Sequence, residues 1–83
     1  MNRINYKDIN GKGIIIDVQS PHEYNLYHLS GARNIPYDVL IENHRTLLNK
    51  YGVYYIYCKA GHLSKRAVSI LSYLGYNCYV LEK

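Results

Sequence analysis

"YIYCKAGHLSKRAVSILSYLGY", residues 55–76, is the stretch whose reading decides the fold. It opens inside the apolar run "VYYIY", residues 53–57, which has the length and the aromatic and β-branched content of a buried strand. It closes on a helical pattern, with Ala67, Ile70, Leu71 and Leu74 at i, i+3, i+4 and i+7 and Gly75 as a left-handed stop. Cys58 stands at the seam, and the helix starts about five residues after it. Ala60 and Gly61 between them make a loop of small residues.

The same alternation extends in both directions. Upstream, Ile14 to Val18 is an apolar, non-alternating run, interrupted only by Asp17 and bounded by Gly13 and by Gln19-Ser20, which predicts a strand covered on both faces. Ser20, Pro21 and Glu23 then form a capping box with a proline start, so a short helix begins at residue 21. "GARNIP" reads as a turn, a brief strand over Ala32 to Ile35 and a break at Pro36. Asp38 is placed to cap a second helix carrying Leu40, Leu47, Leu48 and Tyr51. A last strand covers 78–81, and Arg3-Ile4 starts a short edge strand. Strands alternating with helices predict an α/β domain: a parallel sheet of four to five strands with helices on both faces.

Eighty-three residues suffice for a single domain, 1–83, with one small core. Phenylalanine and tryptophan are absent and tyrosine occurs 11 times, so tyrosine does the aromatic packing while its hydroxyls seek backbone or water partners. The +4 formal charge is scattered rather than gathered in a stripe interleaved with aromatics, which argues against nucleic acid as a partner and leaves a mild preference for small anions. No apolar run has the length of a membrane span and no signal peptide opens the chain. Two cysteines do not make a disulfide framework, and a cytoplasmic location is expected.

In a parallel α/β sheet, ligands bind beyond the carboxyl ends of the strands, and Cys58 ends one of them. The amide hydrogens of residues 59–63, together with a helix N-terminus, form an anion cradle that stabilises negative charge on sulfur. This pattern favours a working thiol over a small buried hydrophobe, with Cys58 in a loop mouth rather than in the core. Cys78 does not suit a resolving thiol. It begins the last strand where Cys58 ends its neighbour, roughly 15 Å away, beyond disulfide reach. Cys58, His62 and Cys78 lack the paired short spacing of a metal site, so neither metal nor cofactor is expected. Asp17 reads as a strand-end carboxylate bonded to loop amides, His28 as a structural hydrogen-bonding residue and Arg33 as a surface charge. His62 is equally an anion contact or an exposed loop residue.

Two blocks carry a family resemblance. "IIIDVQSPHEYNLYHLSGARNIP" resembles the first signature of rhodanese-like domains, and "YCKAGHLSKRA" resembles their active-site loop, Cys-x-x-Gly-x-x-Ser, at the strand-to-helix seam. With "LSYLGYNCYVL" the resemblance spans nearly the whole chain and is greatest to the small single-domain rhodaneses of bacteria. It implies a sulfurtransferase in which Cys58 attacks a small anionic sulfur donor such as thiosulfate, carries a persulfide and passes sulfur to cyanide or a thiol. It makes Lys59, Ala60, Gly61, His62, Leu63 and Ser64 the substrate-binding loop. Three departures from the family pattern stand out. Gln19 replaces a frequent arginine, exchanging a charged pair with Glu23 for a neutral hydrogen bond. Leu63 replaces a loop cation, which weakens docking of a dianion unless Lys59 and His62 substitute. The usual Gly-Gly turn and closing helix do not follow "VLEK", which predicts apolar surface around the last strand and a possible homodimer. Two alternatives remain: a non-catalytic rhodanese-like binding module, and a cysteine-dependent phosphatase or arsenate reductase. The latter would need Arg where Ser64 stands.

Overall fold

A computed structural model describes residues 2–83. Five parallel strands lie in the order β1-β5-β4-β2-β3: β1 Arg3–Asn5, β2 Ile14–Asp17, β3 Arg33–Asn34, β4 Val53–Tyr57 and β5 Asn77–Glu82. Helices α1 Pro21–Leu26, α2 Tyr37–Glu42, α3 His44–Leu47 and α4 His62–Tyr73 connect them. The expected α/β parallel sheet is present, with β4 at its centre between β2 and β5.

The pleat of β4 divides the core. Tyr54, Ile56 and Cys58 face one side, where they pack with Leu40 of α2 and Ala67, Val68 and Leu71 of α4. Tyr55 and Tyr57 face the other side, with Leu29, Ala32 and Leu81 buried beside them and Tyr24 of α1 packed against the cluster. Burying tyrosines on a sheet obliges each hydroxyl to find a partner. Tyr54 Oη accepts from the Asn49 amide at 2.9 Å, Tyr24 Oη donates to the Ala32 carbonyl at 2.5 Å, and Tyr76 Oη meets His44 Nδ1 at 2.8 Å.

The capping box at α1 forms as the sequence predicts: Ser20 Oγ accepts from the Glu23 amide, and Glu23 Oε1 accepts from the Ser20 amide, both at 3.2 Å. The second helix differs from expectation. It is two short helices, because Asn43 leaves helical geometry (φ −122°, ψ 23°) and its side-chain amide donates to the Val39 carbonyl at 2.9 Å. Pro36, not Asp38, stands at its N-cap, and Tyr51 is 97% exposed rather than on an apolar face. In α4 the buried stripe is Ser64, Ala67, Val68 and Leu71, while Leu74 is 38% exposed. The stripe is turned toward Val68, which lies one turn from both Ser64 and Leu71.

β5 also departs from expectation. It is an interior strand, with β1 along one edge and β4 along the other, and Cys78, Val80 and Leu81 are buried. The chain covers its own last strand, so the motive for proposing a homodimer there disappears.

At the C-terminus of α4, Gly75 adopts φ +98°. The Gly75 amide bonds the Ser72 carbonyl at 3.0 Å and the Tyr76 amide bonds the Leu71 carbonyl at 2.9 Å. This paired reversal turns the chain directly into β5. Replacing Gly75 by alanine forces a Cβ into the left-handed region, where it also meets Lys50 Nζ at 3.1 Å. Gly75→Ala is expected to cost about 1–2 kcal/mol in urea unfolding, and equal midpoints for parent and variant would show that this turn is not held as described.

Asp17 ends β2 fully buried, its Oδ1 accepting from the Gln19 amide at 2.9 Å and its Oδ2 from Gln19 Nε2 at 3.0 Å. Burial raises its carboxyl above the ordinary value, and the Gln19 bonds offset only part of that rise. For a carboxyl raised on folding, the contribution to stability is full below the unfolded pKa, near 3.9, and is lost as pH climbs through the raised folded value. Urea unfolding at stepped pH from about 4 upward should show that loss in the parent and a flatter profile in Asp17→Asn. Parallel profiles would remove Asp17 as the source.

Candidate active site

β4 ends at Tyr57 because its last pairing, to Asp17 of β2, closes the ladder there, and the Tyr57 carbonyl takes the Val18 amide at 2.9 Å. Cys58 is the next residue. It is 6% exposed and belongs to the core cluster, so it is more deeply set than a loop-mouth position. The chain then folds back on the sulfur. Gly61 takes φ +89°, a conformation suited to glycine, and serves as the N-cap of α4. That turn brings two backbone donors onto Cys58 Sγ: the Gly61 amide at 3.1 Å and the Ser64 amide at 3.3 Å.

Ser64 is 1% exposed, and its hydroxyl donates to the Gly61 carbonyl at 2.9 Å while accepting from the Cys58 thiol at 3.6 Å. The expected cradle is therefore present, with a different donor set. Of residues 59–63 only Gly61 supplies an amide to the sulfur, and Ser64, inside the first turn of α4, supplies the other. The positive end of this 12-residue helix points at the same atom. The arrangement suits negative charge on sulfur.

Two clefts meet at Cys58. The first, about 610 Å³, lies between the active loop and the end of β5 and takes in Tyr27, Gly61, Ser64, Lys65, Glu82 and Lys83. The second, about 530 Å³, lies toward α1 and takes in Gln19, Glu23, His62 and Leu63. Lys59 and Ala60 border both. Each residue of the predicted loop thus borders one cleft or the other. His62 is exposed at the start of α4, and Leu63 is half-buried against the core.

Gln19 does not pair with Glu23. Its side-chain amide goes to Asp17, while Glu23 is engaged by Ser20. Asn34 of β3 staples this corner, donating to the carbonyls of Asp17 at 3.1 Å and Gln19 at 3.0 Å. His28 stacks on Tyr24 at 3.8 Å and its Nδ1 lies 2.8 Å from the Tyr24 carbonyl, a structural role. Arg33 is an exposed surface charge, and Arg66 lines neither cleft.

Tyr27, Tyr57, Lys65 and Lys83 escaped the reading of the sequence. Lys65 had a local signal, being the first residue after the loop. Tyr27 and Lys83 had none, because only the pairing of β5 beside β4 brings residue 83 to the mouth of the first cleft. Burial raises the Tyr57 phenol, and the Tyr27 hydroxyl raises the Lys83 ammonium by accepting its hydrogen at 2.6 Å. Cys78 pairs with Tyr54 in the ladder, four positions before Cys58, and burial raises its thiol. It contacts Ser72 and the Val68 carbonyl and faces neither cleft.

Comparison with known proteins agrees with this geometry. Thiosulfate sulfurtransferase PspE of Escherichia coli (strain K12) is 40% identical over 62 residues, which are 74% of this chain and 60% of that protein, so the chain matches only part of its relative's length. A rhodanese-related protein from Thermoplasma volcanium superposes with a TM-score of 0.85 at 30% identity, covering 99% of this chain and 84% of the other. A rhodanese-like domain protein from Staphylococcus aureus does so with a TM-score of 0.84 at 27% identity, covering 99% and 85%. The rhodanese-like domain model matches residues 3–83, from β1 to the end of β5, and the chain belongs to that family.

Proposed function

We propose that the chain is a sulfurtransferase that moves sulfane sulfur through a persulfide on Cys58. The observation that carries this reading is the convergence of the Gly61 and Ser64 amides on Cys58 Sγ, at 3.1 and 3.3 Å. Fixed amide donors lower the energy of charge on sulfur without reorganising during the reaction.

In the first half-reaction the Cys58 thiolate attacks the outer sulfur of a donor such as thiosulfate. A Cys58 S–S bond forms, the donor S–S bond breaks, and sulfite leaves with the electron pair. The negative charge now rests on the terminal sulfur of the persulfide. In the second, a cyanide ion or a thiolate attacks that terminal sulfur, and the electron pair returns to Cys58. The first-turn amides of His62 and Leu63 have no carbonyl to meet within α4 and serve the outer sulfur in this reading. The Ser64 hydroxyl hydrogen, which bonds the Gly61 carbonyl in the thiol form, turns to the sulfur once Cys58 is ionised.

The phosphatase reading lacks its clamp. Such loops grip a tetrahedral oxyanion with a bidentate arginine, and here Ser64 occupies that place while Arg66 lies off both clefts. Retention of the loop cysteine supports catalysis over a purely binding module.

Intact-mass measurement after incubation with thiosulfate should show a gain of one sulfur atom, which cyanide then removes. Cys58→Ser should fold, since the near-isosteric hydroxyl can accept from the same two amides, and should neither gain sulfur nor form thiocyanate. Cys78→Ser should retain both reactions. Sulfur retained on Cys58→Ser, or lost with Cys78→Ser, would reassign the nucleophile. Gly61→Ala tests the cradle: a Cβ at φ +89° meets nothing within 4 Å, so the strain is in the backbone alone. Relieving it swings one amide off the sulfur, and kcat should drop about 100- to 1,000-fold. Unchanged kcat would detach catalysis from that amide.

A further inference from the structure

Because the strands are parallel, the segments that enter them gather at one edge of the sheet, opposite the edge that carries Cys58. Ile14, Tyr54 and Cys78 stand abreast in the ladder, and Cys58 lies four residues beyond Tyr54, roughly 13 Å along the strand. Contacts between side chains join the segments that precede β4 and β5. Lys50 Nζ donates to the Leu74 carbonyl, and the same ammonium lies 4.5 Å from the centroid of the Tyr76 ring. His44 Nδ1 meets Tyr76 Oη.

This edge is both apolar and cationic. Of the large hydrophobic side chains exposed among the described residues, Ile14, Leu47, Tyr51, Tyr73 and Leu74 lie in or beside these entering segments, and only Leu26, Tyr27 and Val39 lie elsewhere. Tyr51 is 97% exposed and Tyr73 is 90% exposed, so neither ring rests in a groove of its own protein. Segments 10–14, 43–52 and 73–77 carry Lys12, Arg45 and Lys50 and no carboxylate. All three cations are exposed, and none forms a salt bridge among the described residues. The carboxylates sit largely at the other edge: Asp8 follows β1, Asp17 and Glu82 end β2 and β5, and Glu23 and Asp38 open α1 and α2. Glu42, at the end of α2, is the exception.

We propose that this edge docks the protein on an anionic lipid bilayer, with Tyr51, Tyr73 and Leu74 entering the headgroup region and Lys12, Arg45 and Lys50 facing lipid phosphates. Charge selects the partner first. A second copy of the chain would set these cations against their own kind, so the complement is anionic. Shape selects next. Freely projecting rings with polar tips, flanked by basic side chains on apolar stems, suit the boundary between headgroups and acyl chains. Each cation near such a surface strengthens the attraction independently of any pocket. Docking of this kind needs no spanning segment, and no described helix is long and apolar enough to be one. It leaves Cys58 and its two clefts at the far edge, turned to solvent.

The test floats the protein with vesicles of phosphatidylglycerol and phosphatidylcholine, and with vesicles of phosphatidylcholine alone. The parent should rise with the anionic vesicles only, and less so as salt is added. Lys12→Gln/Arg45→Gln should lower the partition coefficient about 30-fold. Lys7→Gln/Arg33→Gln removes the same charge from exposed sites off this edge and should retain most of the binding. Equal losses in the two double variants overturn the assignment of the face. Tyr51→Ser/Tyr73→Ser alters rings that pack on almost nothing, so it should fold as the parent does and release the vesicles. Full retention by that variant overturns ring insertion. Vesicle-bound protein should react with iodoacetamide at Cys58 as fast as free protein, and a slowed reaction overturns the orientation. A parent that stays off anionic vesicles at low salt overturns the bilayer as occupant, and its retention on immobilised polyglutamate would then assign the edge to an acidic polypeptide.

Discussion

The Cys58 sulfur is held by two amide hydrogens, and the rest of the site depends on how they come to point at it. Backbone donors cannot be aimed by rotamer choice. They are aimed by the path of the chain, so the loop must reverse within three residues of Cys58. The left-handed Gly61 permits that reversal, and α4 then starts at once, presenting the Ser64 amide from its first turn. The position of α4 is fixed in turn by Ala67, Val68 and Leu71, which are buried against the face of β4 that carries Ile56 and Cys58. Packing of an apolar helix stripe and polarity around one sulfur are thus a single arrangement. The helix that closes the core also supplies the charge-stabilising end.

Much of this arrangement was legible in the sequence, for identifiable reasons. "VYYIY" matches β4 residue for residue, since an apolar run flanked by a turn and a cysteine loop has no helical alternative of sufficient length. The box at Ser20 and Glu23 and the glycine stop at Gly75 were readable because each acts through its neighbours in the chain. What was missed acts across the fold. Asn43 broke the second helix through a side-chain bond to Val39 that competes with helix geometry, and composition does not announce such a bond. Gln19 turned to Asp17 rather than Glu23 because a buried carboxylate two residues away makes the more demanding claim on a donor. Lys83 escaped notice because it follows a strand, β5, whose neighbour in space is far from it in the chain.

Tyrosine solves a packing problem that phenylalanine would solve more simply. With neither phenylalanine nor tryptophan in the chain, each large aromatic surface comes with a hydroxyl, and its bonds set long-range geometry. Tyr54 holds the Asn49 turn ahead of β4, Tyr24 ties α1 to the approach to β3, and Tyr76 anchors α3 through His44 at the start of β5. These bonds join loops to the sheet on which they pack. In a domain this small, where core area is scarce, they add definition that area alone supplies in larger proteins.

The loss of a cation at position 63 and the presence of cations at 65 and 83 belong to one electrostatic argument. A charge placed at Leu63 would stand in the second cleft, near Glu23, where much of its field would be offset. Lys65 and Lys83 stand in the first cleft, whose single carboxylate is drawn away by Arg3. Counting charges along the loop therefore leaves out Lys65 and Lys83, which α4 and the end of β5 bring to the walls of one cleft. Those walls come from four places in the chain: the end of α1, the end of β4 with the loop that follows it, the first turn of α4 and the end of β5. The parallel order β5-β4-β2 brings their ends to one edge, so the make-up of the cleft is a property of sheet topology as much as of the loop that holds the sulfur.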